Sequence, residues 1–250
     1  MIGLHGLVAS LVFVSSAVAA AECGQLEQRA EATAKAVAIA ADERGATSAL
    51  AEIALEGVRE CPSSEPLWFF AARAAELRDA PLAATGEASP ARAIAEDAAK
   101  AAPRSARILT IVARWDGSSE AARRALALDA SYAPAQWALA LALAREGASA
   151  EGMKVLGARK ESNSDRIARA EVFLAAGQPL NAVAPARAAA TRPNPDPSEF
   201  STAGDITRRS NEALGLALVR SGKKADGLKA LRIAASLGSR RAQSEIDKLK

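Results

Sequence analysis

The sequence predicts an all-α protein: an α-solenoid of about six helix–turn–helix units, closed by a C-terminal capping helix. Three observations point there. Alanine, the strongest helix former, dominates the 250 residues, strand formers are sparse, and no apolar–polar alternation of period two appears. Residues 211–243 read as helix, tight turn, helix. Leu214 and Leu218 share one face of the first helix; Leu228, Leu231 and Ala235 share one face of the second. The pattern of that stretch then recurs along the chain.

The recurrence is built on a turn glycine, a small residue five positions on and a breaker or polar residue seventeen positions on. Gly222 suits the turn because glycine enters the left-handed region without steric cost. Gly227 lets the two helices approach. The same offsets link Gly45, Leu50 and Pro62; Gly86, Ala91 and Pro103; Gly117, Ala122 and Pro134; Gly147, Gly152 and Ser164; Gly177, Ala182 and Asn194; and Gly222, Gly227 and Ser239. Only Leu50 breaks the small-residue rule. The glycines follow one another at 41, 31, 30, 30 and 45 residues, so the unit length drifts. Aromatic residues make up only 4% of the chain, so the core must come from close helix packing rather than large side chains.

Taken in order, residues 1–21 read as a secretory signal peptide. An apolar run over residues 7–14 leads into the small residues 17–21, with cleavage after Ala19 or Ala21. The segment before that run has no Lys or Arg, and residues 2–21 are long enough for the alternative, an uncleaved membrane anchor. Glu22 ahead of Cys23 excludes a lipoprotein signal. An export signal makes a Cys23–Cys61 disulfide the natural pairing, since these two residues fall at neighbouring ends of the first hairpin; two free buried thiols are the alternative.

Residues 22–192 form the first run of repeats. The first unit places helices at 25–43 and 46–60. The second carries Leu67, Trp68, Phe69 and Phe70, the densest aromatic cluster, read as a core plug or else as a stacking patch for a ligand. Its loop, 79–89, ends in Ser89-Pro90, an N-cap followed by a first-turn proline. The third unit has helices at 105–114 and 119–129. The fourth begins at Pro134, and the fifth has helices at 165–176 and 180–191. Pro185 inside the last of these predicts a kink or an early start. Residues 193–206 hold Pro193, Pro195 and Pro197 and read as a loop or linker and a domain break. Residues 207–250 are the last unit plus a cap at 240–249, with Ala242, Ile246 and Leu249 on one face.

These spacings resemble the tetratricopeptide repeat. Leu214–Gly215 matches its Leu-Gly pair, and Leu139–Ala140 and Val37–Ala38 match it less closely. The final unit resembles Sel-type repeats through Ala230, Ala234, Ala235, Gly238, Ala242 and Gln243. The resemblance covers most of residues 24–250. It implies stacked hairpins with a concave groove that takes a protein or peptide. The family's aromatic positions are mostly alanine or leucine here, and the repeat length drifts, so an irregular superhelix is expected.

The net charge of +3 conceals an asymmetry. Residues 1–100 carry eight basic and fourteen acidic side chains; residues 201–250 carry eleven basic and five acidic ones. Ordinary solvated helix surface accounts for this, or a basic C-terminal face that suits an acidic partner. Nucleic acid does not fit an exported chain with so few aromatics to stack bases. His5 is the only histidine and lies in the expected signal, which excludes histidine-based triads and zinc sites from the mature chain. Ser221-Gly-Lys-Lys224 fits S-x-x-K without its companion motifs and reads as a repeat turn. No catalytic residue, metal site or cofactor is expected.

The function expected is a non-enzymatic protein-interaction scaffold, periplasmic or secreted. The candidate groove residues are Trp137, Leu141, Arg145, Arg209, Glu212, Leu216 and Arg220, with arginine placed to hold a carboxylate. Two other readings stand beside it: an accessory factor or enzyme acting on cell-wall polymer, and a spacer that self-assembles acidic head to basic tail. The sequence leaves the oligomeric state open.

Overall fold

A computed structural model describes residues 5–37, 40, 43–83, 89–157, 162–194 and 201–250; side chains are described from Ala20 onward, apart from Arg44 and those of 79–83. Among the described residues there are thirteen helices and no strand. They are α1 (His5–Val37), α2 (Glu43–Glu60), α3 (Glu65–Ala83), α4 (Pro90–Ala101), α5 (Ala106–Asp116), α6 (Ser119–Leu128), α7 (Ala133–Arg145), α8 (Ser149–Leu156), α9 (Asn163–Ala175), α10 (Pro179–Thr191), α11 (Ala203–Arg220), α12 (Lys224–Ser236) and α13 (Arg240–Lys248). Each odd-numbered helix up to α11 pairs with the next to make six hairpins, and α13 stands alone at the end. The chain is an all-α solenoid of helical repeats.

The turns follow from glycine. Gly117, Gly147, Gly177 and Gly222 all have positive φ and each joins the two helices of a hairpin. Gly45 does not: α2 begins two residues earlier, at Glu43, and Gly45 lies in its first turn. Gly86 lies outside the described residues. Gly238 supplies a further left-handed turn, between α12 and α13, that the repeat pattern did not mark.

The small residues five positions on are where the helices touch. Ala91, Ala122 and Ala182 are fully buried. A Cβ on Gly152 would come 2.5 Å from the Ala140 carbonyl oxygen, and one on Gly227 would meet Val219 and the Gly215 carbonyl. Gly215 is equally crowded, against Leu231. Small residues therefore let α7 meet α8 and α11 meet α12 backbone to backbone.

Successive hairpins are joined by a polar contact that repeats. Ser64, just ahead of α3, donates to Glu27 of α1 at 2.6 Å. Ser105 caps α5 and donates to Glu65 of α3, and Ser239 caps α13 and donates to Glu212 of α11 at 2.6 Å. Each serine oxygen also accepts a backbone N–H of its own helix, so one hydroxyl ends a helix and ties it to the previous unit. Arg107 and Arg241 reinforce the second and third of these ties. Burial would raise the Glu65 carboxyl, but the hydrogen bonds and charge of Arg107 with the Ser105 hydroxyl carry it below its ordinary value.

Leu67, Phe69 and Phe70 are buried in the core of the first hairpins, where Arg107 stacks on the Phe69 ring at 4.1 Å. Trp68 donates its indole N–H to the Pro62 carbonyl at 2.8 Å. The aromatic cluster is a core plug. The Cys23 and Cys61 sulfurs lie at disulfide distance, 1.95 Å, and pin α1 to the end of α2. α1 runs unbroken through residues 19–21, the expected cleavage region, whereas the first helix was expected from residue 25. Among the described residues no helix is long and apolar enough to cross a membrane.

Pro185 lies inside α10, which begins at Pro179 and continues to Thr191. One further expectation changes. The segment expected as a linker over 193–206 is helical from Ala203: Thr202 caps α11 by accepting the Asp205 N–H at 2.9 Å. Residues 195–200 lie outside the described residues. On the far side of this segment, α11 packs directly on α9 and α10.

Candidate functional site

The first helices of the hairpins touch in sequence, α1 on α3, then α5, α7, α9 and α11, and so form the inner wall of the solenoid. The wall curls until its end meets its beginning. α13 touches α3, and Asp205 of α11 reaches Arg73 of α3. Inside this curl lies a cleft of about 570 Å³, lined by side chains of α3, α5, α7, α9, α11 and α13. Its size is within the ~300–1,000 Å³ range of ligand pockets.

The cleft wall is rich in charge, and most of that charge is internally paired. Arg73, almost wholly buried, donates to Glu76 at 2.6 Å, and Glu76 also pairs with Arg114 at 2.7 Å. Asp205 is held by Arg208 at 2.6 Å, with Arg73 and Arg209 each 3.8 Å from its other oxygen. Burial on its own would raise the Asp205 carboxyl. The charges of Arg208, Arg209 and Arg73 outweigh it and bring the group down to about 2. Glu212 accepts from Ser239 and pairs with Arg241 at 3.3 Å. Asp116 pairs with Arg92 at 3.0 Å.

Two charged groups on this wall are different. Arg145, exposed at the end of α7, and Glu171, half-buried on α9, make no hydrogen bond or ion pair with the described residues. Leu141, half-buried one turn before Arg145, supplies an apolar surface beside them. Trp115 on α5 lines the same cleft, and its indole N–H is buried without a hydrogen-bond partner. Such a donor is costly to leave unmade.

No family model matches this chain, and no curated protein matches it. The site therefore rests on geometry.

Of the seven groove residues expected from sequence, the structure brings four together: Leu141, Arg145, Arg209 and Glu212 all line the cleft. Arg209 and Glu212 are engaged with Asp205, Ser239 and Arg241. Trp137 is corrected: it is buried, and its indole N–H donates to Asp165 of α9 at 2.6 Å, tying two repeats together. Leu216 is likewise core, packed with Ala213, Leu231 and Ile246. Both follow from helices so rich in alanine that their buried arc is wide. Arg220 is exposed at the end of α11, outside the cleft, on the same turn as Lys223 and Lys224. The sequence missed Arg73, Glu76, Arg114 and Asp205. Their signal was faint: an arginine and a glutamate three residues apart within an apolar helix, α3.

Among the described residues no group of three His, Cys, Asp or Glu is placed to hold a metal ion. The wall is a set of fixed ion pairs around a few open groups. That arrangement can recognise polar groups of a guest through Arg145 and Glu171 and an apolar one through Leu141, with the paired charges holding the wall together.

Proposed function

We propose that this chain is a non-catalytic binding scaffold of the cell envelope, whose cleft takes a peptide or protein segment. The observation that carries the reading is the division of labour on the inner wall. Glu76, Asp116, Asp205 and Glu212 are each neutralised by arginine, while Arg145, Glu171 and Leu141 stay open to a guest. A glycosidase of the two-carboxylate kind needs a pair of carboxylates free to exchange protons and attack. On this wall every carboxylate but Glu171 is engaged by arginine, which favours binding over that chemistry.

The hairpin offsets and the close contacts at Gly152, Gly215 and Gly227 support placing the chain with tetratricopeptide-type repeats. The Cys23–Cys61 pairing supports an exported location, since disulfides persist in oxidising compartments. Cleavage of residues 1–21 belongs to the same proposal.

The test is selection of peptides from a random displayed library on the purified, oxidised chain. Sequence-dependent enrichment that disappears with Leu141→Asp is the expected result. No enrichment, or enrichment indifferent to that substitution, removes the reading. Leu141 is half-buried, so an unchanged far-ultraviolet circular dichroism spectrum and denaturation midpoint of the variant are the folding control.

A further inference from the structure

We propose that the cleft is specific for an amphoteric guest, one that presents an anionic group to Arg145 and a cationic group to Glu171. The proposal rests on the cleft being a peptide-binding site and names the chemistry it selects. The argument is a charge inventory. Every other carboxylate on the wall has an arginine partner within the fold: Glu76, Asp116, Asp205 and Glu212. Among the described residues of the wall, Arg145 and Glu171 alone lack a partner, yet they sit on α7 and α9, which pack against each other, and line one cleft. They do not satisfy one another.

A guest with a single charge would pair one of these groups and leave the other, of like sign to the guest, unpaired beside it. A guest with both signs pairs both. Charge-assisted hydrogen bonds in a partly enclosed cleft are the strong class, and like-charge juxtaposition is the penalised one. Leu141 on the Arg145 face adds an apolar contact for the guest's backbone or aliphatic stem. An extended peptide presents residues two apart on the same side, so one acidic and one basic side chain in alternate positions make the simplest probe of the requirement.

The experiment is calorimetric titration of the full, oxidised chain with capped pentapeptides. The pair Ala-Asp-Ala-Lys-Ala and Ala-Lys-Ala-Asp-Ala covers both directions of threading. Analogues replace Asp by Asn, Lys by Gln, or both; the caps remove free termini from the comparison. One charged order is expected to bind about tenfold more tightly than either single-charge analogue. Arg145→Gln should remove the advantage of Asp over Asn and leave that of Lys over Gln; Glu171→Gln should do the reverse. The double exchange Arg145→Glu with Glu171→Arg should prefer the opposite order. Equal affinity for charged and neutral peptides, or single-charge peptides as tight as the amphoteric one, overturns the inference while leaving the binding reading in place. Absence of binding by all of them, together with failed library selection, removes both. Neither side chain has a hydrogen-bond or ion-pair partner among the described residues, so an unchanged denaturation midpoint is the expected folding control.

Discussion

Glu43 sits on the N-terminus of α11, 161 residues away in the chain. Its carboxylate accepts the Gly204 N–H at 2.7 Å and the Thr202 hydroxyl at 2.7 Å. A negative charge belongs at a helix N-terminus, where unpaired N–H groups and the helix dipole favour it. This contact joins α2 to the last hairpin, and with Arg73–Asp205 it closes the curl that creates the cleft.

A Cβ on Gly204 would meet the Glu43 carboxylate, the far end of a flexible side chain. Gly204→Ala is therefore expected to push that carboxylate aside and to cost at most about 1 kcal/mol, the helix cap it forfeits. Glu43→Ala should lower it by about 1 kcal/mol, the usual loss for a helix cap. The two should not add, because removing Glu43 also removes the collision. Urea denaturation of both single variants and the double variant measures the coupling; strict additivity would show that the residues do not meet.

Asp205 sets the acid limit of the fold. Its folded-state value, about 2, lies below its ordinary value of 3.8, so the group contributes stability that is complete above pH 4 to 5. That contribution is lost as pH falls from there towards 2, and the shift corresponds to about 2 kcal/mol. Asp205→Asn should flatten this part of the stability–pH curve. At pH 7 it should cost about 3–5 kcal/mol, since it leaves Arg73, Arg208 and Arg209 close together with their shared anion gone. Denaturation midpoints for both proteins between pH 7 and 2 provide the check.

How much of this is legible in sequence follows from range. The turns at Gly117, Gly147, Gly177 and Gly222 are legible because a left-handed residue strongly selects one amino acid. The disulfide is legible because two cysteines and a hairpin leave one pairing. The closure of the curl is not: nothing near Glu43 in the chain marks Gly204 as its partner. The cleft is legible only in part. Periodicity puts Trp137 and Leu141 on a first helix, but nearly every position from Pro134 to Ala144 is buried, so the pattern does not separate wall from core. The Ser105–Glu65 and Ser239–Glu212 ties lie within reach of sequence reading, as an N-cap serine paired with a glutamate one unit back.

The glycines divide into two kinds, which substitution by asparagine separates. Gly147 has φ 90° and nothing near its Cα that a side chain would strike. Asparagine tolerates the left-handed region, so Gly147→Asn should cost only a few tenths of a kcal/mol up to about 1 kcal/mol. Gly152 is helical and pressed on the Ala140 carbonyl. Gly152→Asn forces α7 and α8 apart and should cost about 3 kcal/mol or more. Equal losses at the two positions in thermal denaturation would contradict the close crossing.

The last prediction concerns the disulfide and is local in its effect. The Cys23–Cys61 link closes a separation of 38 residues and holds α1 against α2 at the open end of the solenoid. In the chain-entropy account a loop of that length contributes about 3–4 kcal/mol. Repeat proteins are stabilised mainly by neighbouring units, so the loss should concentrate in the first hairpin rather than spread along the chain. Reduction, or Cys61→Ala, should therefore deprotect amides of α1 and the end of α2 in hydrogen exchange. Those of α9 to α12, where Leu174, Leu216 and Leu231 form a separate cluster, should keep their protection. A uniform loss of protection over all thirteen helices would mean that the seam at Glu43 and Asp205 couples both ends into one cooperative unit.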